Sequence, residues 1–247
     1  MPLESIISVP DIFQAKRILA IQPHYDDNDI AVGGTLARLA VTGVRVDYLT
    51  VTDDQLGVND SRLSYQEVET LLRNEQAKAG KVIGVAEQHW LGYPDAGEYS
   101  VDKLTRDIVR VMRQLKPDFI FCPDPWLPNE AHLDHVRTGQ AAAYASQLFG
   151  LPRLKTDSDT DRNFAHYELQ GVAFYYTREP NVFPDISGVK AKKEQALRCY
   201  QAQFSSEEMD RLLMVLEMKS RMWGEEHGTD FSEGFKVMHS LQLHCGF

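Results

Sequence analysis

Residues 17–51, RILAIQPHYDDNDIAVGGTLARLAVTGVRVDYLTV, decide the fold. The stretch opens on a short apolar run, residues 17–22, which Pro23 ends because proline has no N–H to give a central strand. It closes on a second run, residues 45–51, rich in β-branched and aromatic side chains. Between them Ile30, Val32, Leu36, Leu39 and Ala40 recur at helical spacing over residues 29–41. Strand, helix, strand in that order requires a right-handed crossover and hence a parallel sheet. The alternation continues outward. Helical patterns over 64–83, 101–115 and 134–148 interleave with strand-like runs at 89–91, 118–122 and 172–176, and two more helices are expected near 189–203 and 207–222. The polar run KTDSDTDRN, residues 155–163, reads as an exposed loop. No repeat, low-complexity tract or Pro/Gly/Ser linker divides the chain. The expectation is an α/β fold: a Rossmann-like, mostly parallel sheet with helices on both faces, in a single domain over residues 1–247.

Composition narrows the function classes. The formal net charge is −10 and the 26 Lys and Arg are scattered, so no basic stripe is available for a nucleic-acid backbone. Cys122, Cys199 and Cys245 lie far apart and form no CxxC pair, which argues against a disulfide framework or a thiolate metal cluster. No run approaches the ~18 apolar residues of a membrane span, and a cytoplasmic location is expected.

In open α/β sheets ligands bind beyond the carboxyl ends of the strands. Directly after the first strand stand His24, Tyr25, Asp26, Asp27, Asn28 and Asp29, one imidazole among three carboxylates. Such a cluster repels a pyrophosphate, and GxGxxG is absent, so Gly33-Gly34-Thr35 reads as close packing of helix on sheet. The cluster suits a cation. A catalytic zinc takes about three protein ligands from His, Asp, Glu or Cys and keeps one position for water; His24 and one aspartate supply two. The plainer alternative is an acidic helix start that favours the helix dipole. The run at 118–122 is also followed by a loop and then by Ala131-His132-Leu133-Asp134-His135. Histidines three residues apart share a face of a first helical turn, so one can bind metal while the other faces substrate. Alone, this too reads as two exposed histidines around an Asp cap. Two such clusters at strand ends of one sheet favour the metal reading.

Pro23-His24-Tyr25-Asp26-Asp27 followed by Gly33-Gly34-Thr35, with His132-Leu133-Asp134-His135 downstream, resembles the LmbE/PIG-L family of N-deacetylases. Arg73-Asn74-Glu75, Leu91-Gly92-Tyr93-Pro94-Asp95, Pro184-Asp185-Ile186-Ser187, Lys192 and Tyr200 are similar to family features in the same order, from about Lys16 to Gln203. The resemblance implies a zinc ion, or another divalent metal, on His24, Asp27 and His135, with Asp26 as general base and His132 beside the reacting carbonyl. Asp134 then orients a histidine, and Arg73 and Asp95 hold substrate. Arg73 also has a plainer reading as an ion-pair partner of Glu69 or Glu75, and Asp95 as turn chemistry. Tyr25 stands where the family pattern has proline and Asn28 where it has glutamate. The implied activity is removal of an acyl group from a small amine, an N-acetylglucosamine derivative above all. The partners are then a small acylated amine or amino sugar and further copies in a homo-oligomer. The alternatives are a metal-dependent hydratase of an unsaturated keto or dicarboxylic acid, with Arg73 clamping a carboxylate, and a catalytically silent metal- or glycan-binding protein.

Overall fold

The computed structural model describes residues 8–244; Cys245 and the first seven residues lie outside them. Six strands form one sheet in the order β3-β2-β1-β4-β5-β6. They are β1 (Arg17–Gln22), β2 (Arg45–Thr52), β3 (Glu87–Tyr93), β4 (Phe119–Pro123), β5 (Gly171–Tyr175) and β6 (Lys236–Met238). The first five run parallel, with Ile18 level with both Val46 and Phe119, and β6 pairs antiparallel with β5. Strands β1, β2, β4 and β5 are buried almost end to end, as parallel strands covered on both faces must be. On one face Ile18, Val46, Tyr48 and Phe121 pack against α1 (Asp27–Val41), α2 (Tyr65–Ile83), α6 (Lys190–Leu197) and α7 (Ser206–His227). On the other Leu19, Ile21, Leu49 and Phe174 meet α3 (Val101–Leu115) and α4 (Leu133–Leu148).

Local chemistry sets the helix ends. Ser64 and Glu67 cap each other reciprocally at the start of α2, as Ser205 and Glu208 do for α7, and Gly84 and Gly228 close those helices at φ 99° and 75°. Because β1 lies between β2 and β4, the chain leaves it in one direction through α1 and later returns on its other side. The crevice at that reversal lies beyond the ends of β1 and β4. No described helix is long and apolar enough to cross a membrane.

The polar stretch 155–163 departs from the loop reading, since Asp157 caps a short helix, α5 (Ser158–Asn163). Asp161 takes a 2.6 Å ion pair from Arg113, whose side chain is 1% exposed and also donates to the carbonyls of Phe149, Leu151 and Leu154. Polarity reads as exposure in a sequence because the buried partner of a charge is not visible there. Helix α6 stops at Leu197 instead of continuing to Gln203, and the turns beyond it give Ala202 N–H to Glu75 and the Tyr200 hydroxyl to Asp29.

Candidate active site

The loop after β1 is held from four sides. The Tyr25 carbonyl accepts from Gln22 Nε2 (3.2 Å) and Gln76 Nε2 (3.1 Å), and the Tyr200 hydroxyl lies 2.9 Å away. That hydroxyl has one proton, and the carboxylate of Asp29 at 2.6 Å is its stronger acceptor. Tyr25 N–H donates to Asp54, a buried residue held at φ 51°. Tyr25 is therefore as fixed by its partners as a proline is by its ring. Asn28 points away from the crevice: its N–H donates to Gln22 and its side-chain amide to the Ala20 carbonyl beneath β1. Gly33 and Gly34 do allow close packing, though not on the sheet as the sequence suggests: a Cβ on Gly34 would stand 2.9 Å from Ile186 and 3.0 Å from Glu233, and one on Gly33 3.6 Å from Ile83 of α2 and Lys193 of α6.

The loop aims His24 and Asp27 at the start of α4. His24 Nδ1 lies 3.1 Å from Asp27, and His135 Nε2 lies 3.4 Å from the other oxygen of that carboxylate. The His24 and His132 rings sit 4.5 Å apart, and His132 stacks on His135 at 4.8 Å. Asp95 and Asp134 approach His24 Nε2 to 3.5 and 3.7 Å. Asp134 is already engaged, accepting from Ala96 N–H and the Tyr99 hydroxyl, so it fixes the turn after β3 while facing His24. Asp95 accepts from Leu56 N–H. Asp26, the residue before α1, is buried, and its side chain makes no capping hydrogen bond.

Crowded carboxylates decide the electrostatics. Burial alone would discharge His24, but Asp134, Asp27 and Asp95 hold its pKa well above the ordinary value. Burial likewise opposes ionised Asp27, yet His135 and His24 hold it at about 2. Asp26 goes the other way: burial first, then repulsion from Asp27 and Asp54, pushes it well above the usual carboxylate range. Burial also pushes Asp54 up to about 7. His132 is lowered by burial and by its two histidine neighbours. The pocket thus favours positive charge at its centre and leaves one carboxyl beside it poised to take a proton.

Two overlapping sets of side chains have atoms within 4.8 Å of one another, as metal ligands do: His24, Asp27 and His135, and His24, Asp95, His132 and Asp134. The first is one carboxylate and two imidazoles, the donor set of an open zinc site. The second draws on carboxylates already committed to Ala96, Tyr99 and Leu56. His24 Nδ1 and His135 Nε2 are the nitrogens that converge on the Asp27 carboxylate, while the other nitrogen of each ring faces a second carboxylate, Asp95 and Asp134 for His24 and Glu130 for His135, as outer partners of metal-binding histidines do. A third set, Asp47, Glu87 and His89, lies elsewhere on the sheet, where Arg45 already pairs with both carboxylates.

A model of the PIG-L family, described as GlcNAc-PI de-N-acetylase, matches residues 19–146, which span β1 to α4 and hold every residue of the first set. The chain belongs to the PIG-L family. Diacetylchitobiose deacetylase of Thermococcus kodakarensis is 33% identical over 94% of this chain and 87% of its own. The solved N,N'-diacetylchitobiose deacetylase of Pyrococcus horikoshii, in complex with the inhibitor MPG, superposes with a TM-score of 0.90 at 33% identity, covering 98% of this chain and 92% of that one. The 4-carboxy-2-hydroxymuconate hydratase of Pseudomonas putida, at 18% identity and a TM-score of 0.74 over 90% of this chain and 96% of its own, shares the fold alone.

In this PIG-L chain seven of the eight residues singled out in the sequence gather at the crevice. Arg73 is placed differently: it pairs with Glu69 at 2.6 Å, lies over the Trp90 ring and stands beside the Tyr25 hydroxyl. Three neighbours carry no sequence signal of their own. Glu130 takes His132 N–H at 2.8 Å and lies 3.3 Å from His135 Nδ1. Tyr176 stacks on His135 and gives its hydroxyl to Asp27 at 3.1 Å. Gln76 braces Tyr25 from α2. Trp126, 57% exposed, stands edge-on to Phe174.

Proposed function

We propose that the protein is a metal-dependent N-deacetylase that hydrolyses the acetamide of an N-acetylglucosamine derivative. Zinc is the proposed cation, with another divalent metal as the alternative, and the cytoplasm the proposed location. The observation that carries the reading is the gathering of His24, Asp27 and His135 at the sheet's reversal point, with Asp26 and His132 beside them. The substrate class is supported by the similarity to diacetylchitobiose deacetylases. A divalent cation on the three residues supplies Lewis-acid polarisation of a carbonyl and lowers the pKa of water towards ~7.

The chain's own groups do the rest. Asp26, with its raised pKa, takes the proton of the attacking water as the C–O bond forms, and returns it to the amine nitrogen as the C–N bond breaks. Acetate and free amine result. His132, whose pKa is lowered by burial and by its two histidine neighbours, donates an N–H to the carbonyl oxygen as that atom gains charge. Asp95 accepts from sugar hydroxyls with the oxygen not committed to Leu56, and Asp134 holds the turn that carries it. Arg73 belongs to the wall behind Tyr25. The hydratase alternative needs Arg73 to clamp a substrate carboxylate, and its guanidinium is already paired with Glu69.

The test is acetate release from N-acetylglucosamine and N,N'-diacetylchitobiose, with and without chelator. Chelator-sensitive release is expected. Bound metal with no acetate from any acetamido sugar would sink the proposal and favour the silent binder.

A further inference from the structure

Among the buried side-chain atoms with no hydrogen-bond partner within the described residues are Asp47 Oδ1 on β2 and His89 Nε2 on β3. They belong to one cluster. Asp47 is level with Glu87 across the parallel pair of strands, and Leu49 is level with His89. Side chains two apart on a strand share a face, so Asp47, Glu87 and His89 stand on the same side of the sheet. An oxygen of each carboxylate and a ring nitrogen of His89 lie within 4.8 Å of one another. The Asp47 side chain is fully buried. Like charges directly opposite on neighbouring strands repel, and a carboxylate oxygen buried without a donor forfeits its hydration with nothing in return. Arg45 answers only part of this. Its Nε donates to Asp47 Oδ2 at 2.8 Å and its Nη2 to Glu87 Oε2 at 3.0 Å, which leaves Asp47 Oδ1 and His89 Nε2 as they were. A buried acceptor and a buried ring nitrogen that converge without a donor between them call for a cation.

We propose that Asp47, Glu87 and His89 form a second divalent-cation site, remote from the crevice. Two carboxylate oxygens and an imidazole are the donors that suit zinc and its first-row neighbours, and water completes the coordination. Zinc bonds of about 2.0–2.2 Å place donors roughly 3.4 Å apart, so the three side chains close in by at most about 1.4 Å. Glu87, 56% exposed, has room to move. The cation takes Asp47 Oδ1, the second oxygen of Glu87 and His89 Nε2, while Arg45 keeps the oxygens it already holds. The guanidinium repels the cation and competes for the same carboxylates, so this site is the weaker of the two. Asp47 stands five residues, about 17 Å of strand, from Thr52 at the crevice end of β2. Its occupant therefore joins edge strand β3 to β2 and takes no part in the reaction. The inference does not depend on the proposed chemistry.

Isothermal titration of zinc into the metal-stripped full chain should show two steps per chain, the second weaker. His89→Ala should weaken the second step by roughly tenfold or more, since outer partners of a ligand alone are worth about that much. It should leave the first step, and acetate release from N,N'-diacetylchitobiose, unchanged. Asp27→Ala should do the reverse, losing the first step and keeping the second, so that the two sites stand or fall separately. Arg45→Gln should tighten the second step, because a competing positive charge is gone. If His89→Ala fails to fold, Glu87→Gln, at an exposed position, should weaken the same step about tenfold. A single step in the parent, a second step lost with Asp27→Ala, or one unmoved by a folded His89→Ala or not tightened by Arg45→Gln would each overturn the site.

Discussion

Gln76→Leu tests how the loop that carries the proposed metal ligands His24 and Asp27 is held. Gln76 is fully buried on α2; its amide donates to the Tyr25 carbonyl at 3.1 Å and to Thr50 Oγ1 at 2.8 Å, and its oxygen accepts from Trp90 Nε1 at 2.8 Å. Leucine keeps the volume and removes all three bonds. At about 1 kcal/mol net for each neutral bond, with a further cost for the stranded indole N–H, the loss is about 3–4 kcal/mol. In a chain of this length that lowers Tm by about 5–15 °C. The Tyr25 carbonyl lies between His24 and Asp26, and with the Tyr200 proton committed to Asp29 it is left with Gln22 as its donor. Groups that brace metal ligands are worth roughly 10–100-fold in metal affinity. Thr50→Val supplies the contrast: it removes the acceptor shared by the two glutamines and leaves both bonds to Tyr25. It should cost stability without weakening the metal. Calorimetry and competition for zinc against a chromophoric chelator read the two effects separately. Zinc affinity of Gln76→Leu within twofold of the parent, or an equal loss in Thr50→Val, would refute the bracing role.

Three further outcomes follow from the same geometry. Asp27→Ala should lower zinc content in elemental analysis, whereas Asp26→Asn should keep the metal and lose roughly 10²–10⁴-fold in kcat; full activity with normal metal would assign the base elsewhere. Glu130→Gln removes the charge near His135 Nδ1 but keeps an acceptor for His132 N–H, so zinc affinity should fall about tenfold with the fold intact. Asp161 is held below the ordinary carboxylate value: burial opposes this, and Thr156 and Arg113 prevail. A pKa lowered in the folded state gives stability that is present above the unfolded value of about 3.9 and lost as pH falls below it. Asp161→Asn should thus be less stable than the parent at pH 7, with the difference shrinking as pH falls below about 3.9 in denaturant titrations; a constant difference would deny the ion pair that role.

The first half of the fold was legible because its elements satisfy their own periods. The run at 17–22 is apolar from Ile18 to Ile21 and is buried on both faces, and the spread from Ile30 to Ala40 lies within a single helix. His24, Asp27 and His135 could be found because each follows, or nearly follows, a strand at the sheet's reversal. Edge strand β6 could not: three residues, paired antiparallel with β5, are too short to show a period. Glu130 and Gln76 were hidden for another reason. Gln76 acts through a carbonyl 51 positions away, a meeting no spacing encodes, whereas Glu130 reaches His132 and His135, two and five positions on, from a loop that has no period to mark it.

Yet the strand-end rule reaches further than the two clusters it first revealed. Each of the five parallel strands hands a polar group to the crevice or its rim within a few residues of its end: His24 after β1, Asp54 after β2, Asp95 after β3, Asp124 after β4 and Tyr176 after β5. Left-handed backbone follows the same rim. Of the five non-glycine residues described with positive φ, four lie in these loops: Asp54, Ala96, Asn129 and Tyr176, at 51°, 51°, 68° and 53°. The fifth, Lys116, caps α3. Such conformations cost of order 1–3 kcal/mol each where side chains are bulky, and persist only where surrounding bonds over-determine them. Here those bonds are identifiable: Asp54 holds Tyr25 and Gln203, Ala96 N–H is held by Asp134, and Tyr176 is locked by His135 and Asp27. The strain and the bonds that hold it belong to the same residues that surround the proposed metal ligands, as expected if the rigid sheet stabilises a ring of loops that none of them would adopt alone.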